Sequence, residues 1–373
     1  MNLKPFFILI LASSIGALSI ADSSYENVIR IPLHKTERSV DLVKRSSNSS
    51  GNRLRLSNIA FSVYTVPISI AGAKHNLIVD TGSSFTWVDK LTSMQNAQID
   101  HTRLIYKCEY LIGEAETLIF NSHVRLDRYS AKMHLGLAMQ TSGLPLKVPG
   151  ILGLGLGNRV SATSAKLSLS VINALKIKSF SLFLAKEGFK ERSWLMLNEV
   201  HPDTHHGEFT YEPLSFYPAT RWTANGTAMS VGGTQIRFPE LKQMMFDSGT
   251  TLIYLDKHSA DSLAQAVGAA HIPDTMYYSM DCDPAKYSPS IMFKMATGNT
   301  YELPPSSYVT RIKDFPGCIF AVSSGAEYLD HFLIGNVFLN NYVTVFDVEN
   351  NRIGFADASH KCDIYSCYTC AIC

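Results

Sequence analysis

Neither sign of charge dominates this chain: 33 Lys and Arg stand against 32 Asp and Glu in 373 residues, a net charge of +1. That balance gives no general pull toward nucleic acid or an anionic membrane, so partner choice must rest on local features. Past the N-terminal leader, no apolar stretch reaches the roughly 18 to 20 residues that cross a bilayer. Glycine-rich nucleotide loops, a Ser-His-Asp pattern and heptad repeats are all missing. Helical periodicity is scarce, with "DKHSADSLAQAV", capped by Asp256 or Ser259, and "SAKLSLSVINAL" as the best candidates. Alternating segments such as "FSVYTVPISI" and "YVTVFDV" read instead as strands joined by turns. With 46% hydrophobic residues, the chain is long enough for two ordinary domains with their own cores.

The N-terminus carries Lys4, an apolar run from Phe6 to about Leu18, and the small residues Ser19 and Ala21 at cleavage-site spacing. Residues 1–21 read as a secretory signal peptide, the other reading being a membrane anchor. The expected localisation is secreted and extracellular, with no stable membrane anchor. Residues 22–45 end in the dibasic pair Lys44-Arg45 within a polar stretch and read as a propeptide, or more plainly as a linker with two solvated charges. Cleavage there would make Ser46 the mature start. Asn48 and Asn225 fit the N-glycosylation acceptor pattern.

Seven Cys, an odd number, leave at least one without an intrachain partner in an oxidising compartment. Four of them, at 362, 367, 370 and 373, crowd a Cys-rich tail over 362–373. Its spacing can be read as a metal site, but secretion favours disulfides, including one to a partner chain. Cys108 reads as a buried free thiol or, more boldly, as linked to that tail. His201, His205 and His206 fall in a polar stretch that reads as a solvated linker rather than a metal site. No metal or cofactor is expected.

In "LIVDTGSSFTW", Asp80 ends an apolar run that predicts a buried strand, and a turn follows it at once. A carboxylate drawn inside needs hydrogen bonds or a partner, which Thr81, Gly82, Ser83 and Ser84 can supply; a strand entering an Asx-type turn is the bland account. The signal then returns in "LKQMMFDSGTTLIYLD", where Asp247, Ser248, Gly249 and Thr250 follow Met244, Met245 and Phe246. One such tetrad arises by chance in roughly a few chains of this length per hundred, from average residue usage. Two, each behind an apolar strand, are far rarer. Each tetrad is followed at a distance by an apolar-apolar-Gly element, "PGILGLGLG" and "FLIGNVF", whose glycine lets a second strand pass close to the first. The chain therefore reads as internally duplicated.

These paired motifs resemble those of the pepsin-like aspartic peptidases, and further details resemble the fungal, polyporopepsin-like branch. The resemblance runs from about Phe61 to Ala356. It implies an all-β, bilobal double β-barrel with a few short helices and an active-site cleft between lobes, here over 46–204 and 205–361. It implies catalytic Asp80 and Asp247. Thr81 and Ser248 would tie the two loops together, Ser83 and Thr250 would bond the outer carboxylate oxygens, and Gly82 and Gly249 would complete the turns. A β-hairpin flap would carry Tyr110 and Gly113, with Tyr106 as the alternative Tyr, and Trp87 and Ile151 would line the substrate site. Cys282 and Cys318 match a disulfide of the second lobe. Leu111, Pro149 and Asn336 depart from the family pattern of Gly, Asp and Asp, and only 29 residues separate Asp80 from Tyr110, which implies trimmed loops. The implied function is a secreted aspartic endopeptidase acting on protein or peptide substrates, with apolar side chains preferred around the scissile bond. The alternative is a secreted binding protein that keeps the fold with little or no proteolytic activity.

Overall fold

The computed structural model describes residues 28–40, 59–89, 100–110, 113–142, 144, 150–157, 170–186, 192–216, 219–283, 289–311, 317–326 and 329–360. The expected signal peptide, the dibasic pair, Asn48, Leu111, Pro149 and the tail cysteines lie outside them.

Alternation makes the first hairpin. Strands Ile59–Ile70 and Ala73–Asp80 pair antiparallel, with Ile70 opposite Ala73 and Thr65 opposite Ile78. Ala71 and Gly72 join them, both at positive φ (53° and 84°), the left-handed two-residue turn that matches strand twist. Toward its end the second strand stops alternating: Leu77, Ile78, Val79 and Asp80 are all buried. A strand covered on both faces accounts for the continuous apolar run.

The fold is all-β and bilobal. In the first half the order of paired strands is Ile59–Ile70, Ala73–Asp80, Gly150–Gly153, Trp87–Val88, Tyr129–Ser142, Glu114–Leu126 and Asp100–Glu109. In the second half a seven-stranded sheet runs Thr300–Leu303, Ile291–Met295, Thr223–Val231, Thr234–Phe246, Phe332–Ile334, Ile253–Leu255 and Val322–Ser324. A four-stranded sheet flanks it, and the Cys282–Cys318 disulfide reaches that sheet's strand Cys318–Phe320. The halves share a floor in which Tyr342–Asp347 pairs with Ser179–Phe183, with Thr344 opposite Leu182. One apolar core runs through both halves, from Leu77 and Val79 to Phe246 and Phe355.

Of the two expected helices, Lys257–Ala266 forms with Asp256 as its cap, accepting from Ser259 N at 2.8 Å. The other is only Val171–Leu175 among the described residues, capped by Ser170. His201 caps a 3-10 turn at Pro202–Thr204 and His205 opens a strand. No three potential metal ligands converge among the described residues. Asn225 lies in the strand Thr223–Val231.

Part of the expected propeptide is built into the sheet. Ile29–Val40 is a strand that pairs first with Ser193–Leu197 (Ile29 opposite Leu197) and then with Ile59–Ile70 (His34 opposite Thr65). Val28, Ile31 and Leu33 are buried.

Candidate active site

Each half delivers its acid by the same device. Ala73–Asp80 runs parallel to Gly150–Gly153 with Asp80 opposite Gly153; Thr234–Phe246 runs parallel to Phe332–Ile334 with Phe246 opposite Ile334. Each chain then turns, and the two turns are locked reciprocally. Thr81 Oγ1 donates to Phe246 O (2.7 Å) and Ser248 Oγ donates to Val79 O (2.8 Å). In return Ser248 N donates to Thr81 Oγ1 (2.9 Å) and Thr81 N donates to Ser248 Oγ (3.1 Å). All four bonds are buried and cross between halves, so each turn is held in place by the other.

The lock brings Asp80 and Asp247 together, buried and hydrogen-bonded to each other. Asp80 Oδ1 accepts from Gly82 N (2.9 Å) and Ser83 N (3.2 Å), and Oδ2 accepts from Ser83 Oγ (2.6 Å). Asp247 Oδ1 accepts from Gly249 N (2.8 Å), and Oδ2 accepts from Thr250 Oγ1 (2.5 Å). The amide of Gly82 also donates to Asp247 Oδ1 at 3.2 Å, so one N–H serves both acids. Burial, and then the charge of Asp247, raise the Asp80 carboxyl well above the usual carboxylate range. Two acids this close hold one proton between them over a wide pH interval, because ionising both is costly. A pair in that state has a base and an acid on hand for one bound water.

Beside the pair, Asp100–Glu109 and Glu114–Leu126 form a hairpin, with Tyr110 N donating to Gly113 O at 2.9 Å and Gly113 at φ 89°. Trp87 Nε1 donates to Tyr110 Oη at 2.7 Å. Tyr110 packs on an apolar cluster containing Trp87, Phe85, Ile78 and Ile151. Tyr106 instead stands edge-on to Phe85, with ring centroids 4.8 Å apart.

Three residues outside the predicted site set also contribute. Asn336 donates through Nδ2 to Ser248 O at 3.0 Å and through its backbone N to Thr250 O at 2.8 Å, so the amide braces the second turn. Trp222 Nε1 donates to Leu154 O (2.8 Å), a buried bond between halves. Cys108, a buried free thiol, hydrogen-bonds Tyr110 from within the hairpin strand. Position 336 had a signal, its place beside the second glycine element. Cys108, expected to be a buried free thiol, lies two residues from Tyr110, so its contact is local. The contact of Trp222 depends on a distant chain segment and has no such signal.

Fold and site define a two-lobed protein in which a duplicated Asp-turn meets its copy across the lobe junction. The chain belongs to the eukaryotic aspartyl proteases, whose family model matches residues 63–358. It is 27% identical over 316 residues to pepsin A-5 of Mus musculus, covering 79% of this chain and 80% of that protein. It is 24% identical over 306 residues to chymosin of Bos taurus (76% and 77%) and 23% identical over 386 residues to chymosin of Camelus dromedarius (92% and 98%).

Proposed function

We propose that the chain is a secreted aspartic endopeptidase in which Asp80 and Asp247 are the catalytic pair. The observation that carries this reading is the direct contact of the two buried carboxyl groups, with the Gly82 amide bonded to both. With one proton shared, the ionised carboxylate takes a proton from a bound water as that water attacks the peptide carbonyl. The protonated carboxyl hydrogen-bonds the developing oxyanion and then helps protonate the leaving amine. Each proton taken by one acid is matched by one given by the other, so no covalent intermediate is needed.

Tyr110, held by Trp87, covers the substrate and limits water at the pair. Trp87, Tyr110 and Ile151 supply the apolar wall that favours apolar side chains around the scissile bond. The lobes are residues 46–204 and 205–361, and the chain is processed after residue 21 and after Arg45. Placement in the fungal, polyporopepsin-like branch enters the proposal on sequence resemblance alone; the relatives named above are mammalian.

The test is peptide release from denatured haemoglobin across roughly pH 3 to 6, with and without a statine-type transition-state inhibitor. Inhibitor-sensitive cleavage that Asp247→Asn abolishes is the expected result. Processed, folded protein without such cleavage would support a binding protein instead. Turnover retained by Asp247→Asn would reject the mechanism.

A further inference from the structure

A second polar site lies on the face of the sheet that carries Asp247. A pocket of about 240 Å³ is lined by Phe216, Thr220, Arg221, Thr223, Gln243 and Asp330. Positions 243, 245 and 247 alternate onto one face of the Thr234–Phe246 strand and its continuation. Thr223 pairs directly with Met245, so its side chain shares that face, and so does Arg221 two residues earlier. Gln243 is four residues from Asp247, about 13 Å of extended chain. Asp330 and His331 lead straight into Phe332–Ile334, which pairs with the same strand.

The charges in this pocket are arranged, not merely adjacent. Arg221 spends Nη1 alone on its neighbours: it donates to Asp330 Oδ1 (3.0 Å) and Oδ2 (3.3 Å) and meets His331 Nδ1 at 3.3 Å. His331, buried, also bonds Asp330 Oδ1. The Nε–Nη2 edge of Arg221 bonds no acceptor among the described residues. That edge is the planar fork that receives a carboxylate in two parallel hydrogen bonds. Both oxygens of Asp330, by contrast, are engaged, so the surplus in the pocket is of donors. The Arg221 and Asp330 side chains are 48% and 68% exposed; a pair so open to water adds little to stability. The hydrogen bond from His331, and then the charge of Arg221, lower the Asp330 carboxyl below its usual value, which keeps the clamp on Arg221 under acid conditions.

We propose that this pocket is a secondary specificity site that takes an acidic side chain of the substrate, two to four residues from the scissile bond, on Arg221. The inference rests on the endopeptidase reading for its role and on the pocket alone for its chemistry. Phe216, 60% exposed at the rim, gives the methylene stem of such a side chain an apolar surface.

The test uses peptides with one apolar cleavage site and a single Glu, or Gln as control, placed in turn at each of four positions on either side. The assay runs near pH 5.5, above the ordinary Glu value of about 4.3. At one position Glu should raise kcat/KM about tenfold over Gln, through KM. Arg221→Met should bring that ratio to about one, and Asp330→Asn should reduce it by freeing the guanidinium. The same peptides are titrated calorimetrically against Asp247→Asn. A tenfold preference in Kd there, even with no turnover by the unaltered protein, supports the site while rejecting the endopeptidase reading. Equal Kd values for Glu and Gln at every position, or a Glu preference that survives Arg221→Met, would overturn the site.

Discussion

Gly82 donates its amide to Asp247 at 3.2 Å, and a Cβ added to it would stand 2.6 Å from the Asp247 carboxyl carbon. Gly249 crowds Asp80 in the same way, with an added Cβ 2.7 Å from Oδ1, although its own amide donates to Asp247. Each turn thus needs a bare backbone because the acid of the other half rests against it. Gly82→Ala should displace the Asp247 carboxylate and lower kcat about 100-fold, the scale of effect expected for an ångström of misplacement. The protein should still fold, as judged by circular dichroism. A kcat within threefold of the unaltered protein would mean that the acids tolerate the shift.

Trp87→Phe keeps the ring in its apolar cluster and removes the N–H that Tyr110 accepts at 2.7 Å. One hydrogen bond of about 1 kcal/mol predicts a fall of roughly fivefold in kcat/KM, with little change in melting temperature. Unchanged kinetics would show that the hairpin places Tyr110 without this bond.

The raised carboxyl of Asp80 sets a direction for stability against pH. In the unfolded chain Asp80 ionises near 3.8, whereas in the fold burial and Asp247 keep it protonated to higher pH. The folded state then binds more protons, so this contribution to stability is full below 3.8 and is lost as pH rises toward the raised folded value. Asp80→Asn removes that titration. Melting temperatures measured from pH 3 to 7 should therefore fall less steeply with pH in the variant, whatever their offset; parallel curves would contradict the assignment.

Much of this arrangement was readable before any coordinates. The doubled Asp-Thr/Ser-Gly-Ser/Thr signal is local, and the apolar residues before each acid announce the buried strand that carries it. The all-β character was implied by the resemblance to the pepsin-like peptidases, and period-two alternation in segments such as Ile59–Ile70 supports it. Cross-lobe contacts were not legible from spacing: nothing near position 222 says that its indole will meet Leu154 O, and nothing near 221 says that Asp330 will pin its guanidinium. The residue pattern offered two caps for one helix, Asp256 and Ser259, and only the backbone geometry at Asp256 decides between them.

Glu212 is a buried carboxylate with no cation bonded to it among the described residues. Its Oε1 accepts from Asn299 Nδ2 and Tyr301 Oη, each at 2.8 Å, and Oε2 accepts from Thr297 Oγ1 at 2.7 Å. Glu212→Ala strands those donors and leaves a cavity, which should cost about 3 kcal/mol in denaturant unfolding. Glu212→Gln, keeping one acceptor oxygen, should recover part of it. A loss under 1 kcal/mol would show that water replaces the carboxylate.

The strand Ile29–Val40 bears on how the protein can be made. A gene trimmed to start at Ser46, the expected mature residue, would omit a strand that hydrogen-bonds neighbours on both sides and sinks Val28, Ile31 and Leu33 into apolar packing. Such a shortened chain would leave the ribosome with an open sheet edge and an apolar slot, the recipe for inclusion bodies. Adding a synthetic peptide of residues 28–40 during refolding should rescue it.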